Sequence, residues 1–221
     1  MPVKRDAVKR SDCYVRAVRR WVPFLWKEPN ALLAGSGWFL LSCLPLVTIA
    51  PAWLALTRYM RGRERGIAVG WREAARFALR GCGAGGWLMG VSDALALLMA
   101  GGCALAVFQE GMAFPVKMLY ALLGSMDLLY LLSGMYRYPA LNAEPEARLT
   151  SLIARSFLMA LGNLGWTLLL FCAQLLAFML CAATGVGLLF LFPAASALLA
   201  VCAYDAMLRQ YTTEDMEEEG L

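Results

Sequence analysis

The sequence predicts an all-α fold, that of a polytopic helical membrane protein, and two observations carry the prediction. The chain of 221 residues is 61% hydrophobic and only 16% charged, whereas soluble domains are usually about half apolar and a quarter charged. The run from Ser156 to Tyr204 contains no charged side chain. Because one bilayer crossing takes ~20 apolar residues, we expect this run to cross twice.

Five apolar blocks define the expected membrane helices. They are Ala31–Thr57, Gly81–Gln109, Met112–Tyr136, Gly162–Thr184 and Val186–Tyr204. Each of the last four is long enough to cross as one helix. We therefore expect three helical hairpins, of which the first is short and broken by proline.

The positive charges set the expected orientation. Of the 20 Lys and Arg, eight lie before residue 28, seven in 58–80, three in 137–155, and the others are Lys117 and Arg209. Basic residues in short loops stay cytoplasmic, so the poorly charged loops around residues 110 and 185 are expected outside. Both termini are then expected in the cytoplasm.

The segment CLPLVTIAP, residues 43–51, reconciles this orientation with the first block. A single crossing by residues 31–57 would place the basic N-terminus outside. Proline removes a backbone donor and clashes with the preceding turn, and Pro45 and Pro51 flank a β-branched Val-Thr-Ile run. We expect a helix over 31–44, an extended turn, and a return helix over 51–60. The alternative is one long kinked span, since prolines are tolerated in membrane helices.

Two amphipathic stretches lie between the hairpins. In WREAARFALR one helical face is expected to carry Arg72, Arg76 and Arg80, opposite Trp71, Ala74 and Ala78. In RLTSLIARSFLMA the expected apolar face is Leu149, Ile153 and Phe157, and the basic face is Arg148 and Arg155. We expect both stretches to lie at the inner interface with their basic faces toward anionic headgroups.

These two stretches also begin an internal repeat. An offset of 79 residues matches Arg76 with Arg155 and Trp87 with Trp166, and an offset of 78 matches Phe114-Pro115 with Phe192-Pro193. The sequence thus predicts one integral membrane domain in five parts. These are a basic cytoplasmic segment 1–30, a short hairpin 31–60, repeat units 71–136 and 150–207, and an acidic cytoplasmic tail 208–221.

The run FLLSCLPLVTIAPAWLALTRYMRGRERG, followed by a basic amphipathic stretch, resembles the YesL-like family of bacterial integral membrane proteins. FLMALGNLGW and the Tyr-containing end LRQYTTED lie where the family pattern would have them. The basic start and the tail EDMEEEG depart from that pattern. The resemblance implies a bacterial cytoplasmic membrane protein of unknown biochemical activity, accessory to carbohydrate uptake or utilisation.

Two acidic residues, Asp93 and Asp127, lie inside the apolar blocks, where a carboxylate is costly and is a candidate for function. Thr48 carries the hydroxyl within the CLPLVTIAP turn, and Ser42 precedes it. Groups beside broken helices can line a cavity, so these four residues are the expected ligand-binding site. The alternative is that both carboxylates pair with Arg80 or Arg137 at the inner interface.

The sequence offers little for catalysis. It contains no histidine and no C-x-x-C pair, which removes the commonest general base and metal ligand. We therefore expect no enzyme, no cofactor and no metal site, and the basic residues require no nucleic acid. The expected partners are the lipid bilayer and a sugar-transport permease or another membrane protein. The alternative function is a scaffold or regulator that binds a partner protein through its basic cytoplasmic face.

Overall fold

The computed structural model describes residue 15 and residues 17–43, 48–81, 83–184 and 191–218, and within these ranges every regular element is helical. Helix α1 covers residues 17–27. The remaining helices are α2 (Pro29–Ser42), α3 (Ile49–Glu64), α4 (Trp71–Arg76), α5 (Gly83–Phe108), α6 (Phe114–Ala143), α7 (Leu149–Gly162), α8 (Leu164–Thr184) and α9 (Phe192–Glu218). A π-helical turn, Phe77–Gly81, joins α4 to the region of α5.

Four of the described helices are long and apolar enough to cross a membrane. The four segments are Gly85–Phe108, Phe114–Ala143, Leu164–Ala183 and Phe192–Arg209. They correspond to the last four apolar blocks of the sequence. The prediction of an all-helical protein with several membrane-spanning helices is therefore confirmed at this level.

The first apolar block forms two helices rather than one. Helix α2 ends at Ser42 and α3 begins at Ile49, and Phe39 of α2 meets Trp53 of α3 edge to face, with ring centroids 5.7 Å apart. Pro45 lies outside the described residues. Pro51 lies in the first turn of α3. A proline is tolerated there because the backbone donor that it removes has no helical acceptor.

Helix α9 lies at the centre of the packing. Within its apolar window 78% of the residues are buried, against 11%, 17% and 11% in α5, α6 and α8. Neighbouring helices hold it through polar contacts as well as apolar ones. The Ser36 hydroxyl accepts from the Ala194 amide at 3.2 Å, Trp21 Nε1 donates to the Ala195 carbonyl at 2.9 Å, and Gln174 Nε2 donates to Ser196 Oγ at 2.7 Å.

The two amphipathic stretches form helices that differ in their packing. On α4 and its π-helical turn Ala74 and Ala78 are buried, and the three arginines are exposed, as the pattern predicts. Helix α7 packs along α6. Its buried residues are Leu152, Ser156, Met159 and Ala160, whereas the predicted apolar face, Leu149, Ile153 and Phe157, is half-buried. The face is rotated because α7 packs against a neighbouring helix, and the sequence pattern does not specify that neighbour's direction.

Candidate functional site

Asp93 of α5 forms an ion pair inside the helix bundle. Arg137 Nη1 of α6 lies 2.7 Å from Asp93 Oδ1, and the arginine side chain is only 1% exposed. The two atoms are close but not aligned as a hydrogen bond. Because the two charges neutralise each other, the guanidinium can be buried at this depth.

Two tyrosines of α6 complete the surroundings of this ion pair. The Tyr138 hydroxyl donates to Asp93 Oδ2 at 2.8 Å, and Arg137 Nη2 donates to the Tyr130 carbonyl at 3.0 Å. The guanidinium carbon lies 4.0 Å from the centroid of the Tyr130 ring, a distance suited to a cation–π contact. The Tyr130 hydroxyl donates to Ser92 Oγ at 2.7 Å. These five residues form a network, here called the Asp93 cluster, in which every side chain has a contact.

Small residues make the close approach of the helices possible. A Cβ at Gly90 of α5 would lie 2.3 Å from the Ala50 Cβ of α3, and a Cβ at Gly134 would lie 3.0 Å from Arg137 Nη2. Glycines at such positions let membrane helices approach closely. Gly90 thus lets the start of α3 pack closely against α5, one helical turn from Asp93. Gly134 leaves room for the guanidinium of Arg137.

Asp127 has different surroundings. Helices α5 and α6 run antiparallel, because Tyr138 contacts Asp93 whereas Gly124 faces Cys103. Asp127 therefore lies near the level of residue 100, about 10 Å along the pair from Asp93 by helical rise. Its Oδ2 is buried and has no hydrogen-bond partner. The structure does not bring the two carboxylates together, and Asp127 has no arginine partner among the described residues.

Thr48 and Ser42 lie at the connection between α2 and α3. The Thr48 hydroxyl donates to the Ser42 carbonyl, so it helps to close this connection. A Cβ at Gly86 would lie 3.5 Å from Leu54, while Gly90 meets Ala50, so α3 runs antiparallel to α5. Continuing that register places Thr48 near the level of Asp93 on the neighbouring helix. Ser42, Thr48 and Asp93 therefore lie at a similar height along the helix axes, and Asp127 lies at a different height.

Other polar groups in the packed region were not predicted as site residues. Asn142 Nδ2 donates to Thr57 Oγ1 at 2.6 Å and to the Leu54 carbonyl at 3.2 Å. Asp205 of α9 accepts from Arg61 at 2.7 Å and from Arg65 at 2.9 Å. The sequence signal for such groups is a single polar residue next to an apolar run, as at Asn142 and Asp205.

Among the described residues no group of three or more His, Cys, Asp or Glu side chains could hold a metal ion. An open groove of about 710 Å³ lies where α5 ends and α6 begins, with Phe108, Met112 and Tyr120 in its lining. None of the four predicted site residues lines this groove.

Comparison of the chain with family models, curated proteins and solved structures gives no match.

Proposed function

We propose that the chain is a multi-pass protein of the bacterial cytoplasmic membrane with both termini on the cytoplasmic side. The charge distribution supports this orientation, because all basic residues except Lys117 then fall inside. A contact of 3.5 Å between Arg20 of α1 and Glu64 at the end of α3 also supports it. Reporter fusions at residues 2 and 221 test the orientation, and an exported N-terminus would contradict it.

In this topology α2 and α3 form a short re-entrant hairpin. Helix α2 has 14 residues, so it reaches about 21 Å by helical rise, less than the ~30 Å hydrocarbon core. Helices α4 and α7 then lie at the inner interface. Residues 71–136 and 150–207 form the two repeat units, and the starts of α6 at Phe114 and of α9 at Phe192 support this division.

The role of the protein is accessory to carbohydrate uptake or utilisation, as the resemblance to the YesL-like family implies. It acts by associating with a sugar-transport permease rather than by carrying a substrate itself. One observation carries this choice. Asp93, the carboxylate expected to meet a ligand, is already occupied by Arg137 and Tyr138, which favours a packed accessory protein over a conduit.

Affinity purification from membranes in a mild detergent tests the association. We expect a permease to co-purify from cells grown on its sugar, and deletion of the chain to reduce uptake of that sugar. Proteoliposomes that contain this protein alone should take up none. Uptake by the protein alone would contradict the accessory role.

A second candidate is direct binding of a small ligand in the bilayer, and Asp127 favours it. Its buried Oδ2 has no hydrogen-bond partner, although such groups are usually satisfied. The Asp127→Asn variant separates the two functions. A loss of sugar uptake by cells with unchanged protein level and unchanged permease association would support ligand binding, whereas unchanged uptake supports the accessory role.

A further inference from the structure

Helix α4 and its π-helical turn carry three exposed arginines on one face. Arg72, Arg76 and Arg80 are all exposed, while Ala74 and Ala78 on the opposite face are buried. Residues four apart are neighbours on a helix, so the three guanidinium groups form a row. The helix is fixed to α3 by its apolar face, and the row faces away from that contact.

Within the described residues this row has no acidic partner, in contrast to the neighbouring arginines of α3. Arg61 and Arg65 both bind Asp205. The Arg58 guanidinium stacks on the Phe77 ring at 3.5 Å, and Arg63 lies 5.4 Å from the Tyr59 ring. The arginines of α3 are therefore engaged in contacts within the protein, whereas none of the three arginines of the α4 row forms an ion pair with a described carboxylate.

The row lies at the start of a membrane-spanning helix. Arg80 precedes Gly85, where the first apolar window begins, by five residues. Leu79, between Arg76 and Arg80, is 55% exposed. An exposed leucine beside exposed arginines is typical of a helix at the boundary of headgroups and acyl chains.

The corresponding arginine of α7 is already paired. Arg155 matches Arg76 in the internal repeat, and its Nη1 lies 2.9 Å from Glu144 Oε2. If the basic residues served only to orient the chain, both helices would be expected to leave their arginines equally available. Among the described residues α4 and its π-helical turn thus present three exposed arginines outside any ion pair, whereas the basic face of α7 presents one, Arg148.

We propose that Arg72, Arg76 and Arg80 form a binding surface for the phosphate headgroups of anionic phospholipids, and that α7 does not. Three cationic groups complement the phosphodiester charge, and the adjoining membrane span brings them to headgroup depth. This inference is independent of the carbohydrate role, because it concerns contact with the bilayer.

Lipid titration of the purified full-length protein, followed by native mass spectrometry, tests the proposal. The probes are phosphatidylglycerol and, as the neutral comparison, phosphatidylcholine. Each basic residue near an anionic surface contributes about fivefold in binding, so the variant R72Q/R76Q/R80Q should bind phosphatidylglycerol about a hundredfold more weakly. Binding of phosphatidylcholine should not change, and added salt should reduce the difference between the two proteins.

Two further variants control for charge and fold. R72K/R76K/R80K keeps the charge and should retain phosphatidylglycerol binding, and R155Q should bind within about twofold of the wild type because the adjacent Glu144 carboxylate offsets the charge of Arg155. If the triple Gln variant elutes abnormally on size exclusion, R76Q alone should still show a reduction of about fivefold. Equal weakening by R155Q and R76Q, or unchanged binding in the triple variant, would overturn the proposal. Unchanged binding in the triple variant would leave the row as a surface for an acidic protein.

Discussion

The two halves of the α5–α6 pair differ although both are apolar in sequence. The packed half (residues 85–96 and 130–143) lies against α3 and contains the Asp93 cluster, and all ten buried residues of α6 fall there, between Leu132 and Asn142. The open half (residues 97–108 and 114–129) exposes large side chains such as Leu98 and Leu105. A carboxylate is present in each half, and only the one in the packed half has partners. Helix packing, rather than the position of the residue within an apolar block, therefore decides whether such a carboxylate has a partner.

The largest expected effect is the loss of the cation from the packed half. Arg137→Met keeps most of the side-chain volume but leaves Asp93 without its counter-ion, which should lower the free energy of unfolding by about 3–5 kcal/mol. Denaturation by SDS in detergent micelles measures it.

The matched control is Arg148→Met, since Arg148 is exposed and should change stability by less than ~0.5 kcal/mol. Adding Asp93→Asn to Arg137→Met should recover part of the loss, because no unpaired charge remains. Additive losses in the double variant would mean that the two side chains act independently.

Close helix approach gives the next effect. Alanine at Gly90 would place its Cβ 2.3 Å from Ala50, so α3 or α5 must shift, and overpacking of this kind costs about 1–3 kcal/mol. The same change at Gly101 in the open half meets nothing within 4 Å. We expect Gly101→Ala to be neutral or slightly stabilising, because alanine favours a helix more than glycine does. Thermal unfolding of both variants gives the comparison, and equal melting temperatures would show that α3 is not seated on Gly90.

A smaller loss is expected from the hydroxyl that Asp93 accepts. Tyr138→Phe removes the 2.8 Å hydrogen bond to Oδ2, and we expect a loss of about 1–2 kcal/mol, toward the upper end for hydrogen bonds between membrane helices because the acceptor is charged. Tyr120→Phe in the open half is the control. A loss as large in the control would assign the effect to the ring environment and not to the carboxylate.

The sequence predicts part of this architecture well. The apolar blocks of the sequence identify the four long helices, since runs of such length with at most two charged side chains are long enough to cross a bilayer. The interruption between Ser42 and Ile49 follows from the proline chemistry of CLPLVTIAP. Pairing of Asp93 with Arg80 or Arg137 is the alternative to a ligand site in the sequence analysis. Arg137 is close in sequence to the expected end of α6, but the direction of its side chain depends on the space left by Gly134.

The sequence did not indicate which apolar helix is central. Leucines and alanines suit both lipid and a protein interior, so hydropathy cannot separate α9 from α5. The available signal is the many small residues of α9, of which Ala194, Ala197 and Ala203 are fully buried, since small side chains favour contact between helices. The roles of Tyr138 and Asn142 depend on the register of α6 against α5 and α3, which a single sequence does not specify.

The smallest expected effect on stability is at the carboxylate of the open half. Asp127→Asn removes a charge whose buried oxygen has no partner, so it should change the free energy of unfolding by less than ~0.5 kcal/mol or increase it, because the neutral amide is less costly in the bilayer. Asp93→Asn is the matched comparison and should destabilise clearly, because it leaves Arg137 buried without its anion. SDS denaturation of both variants measures the difference between their unfolding free energies. A loss at Asp127 as large as that at Asp93 would mean that the open half also depends on its carboxylate, and the distinction drawn between them would be wrong.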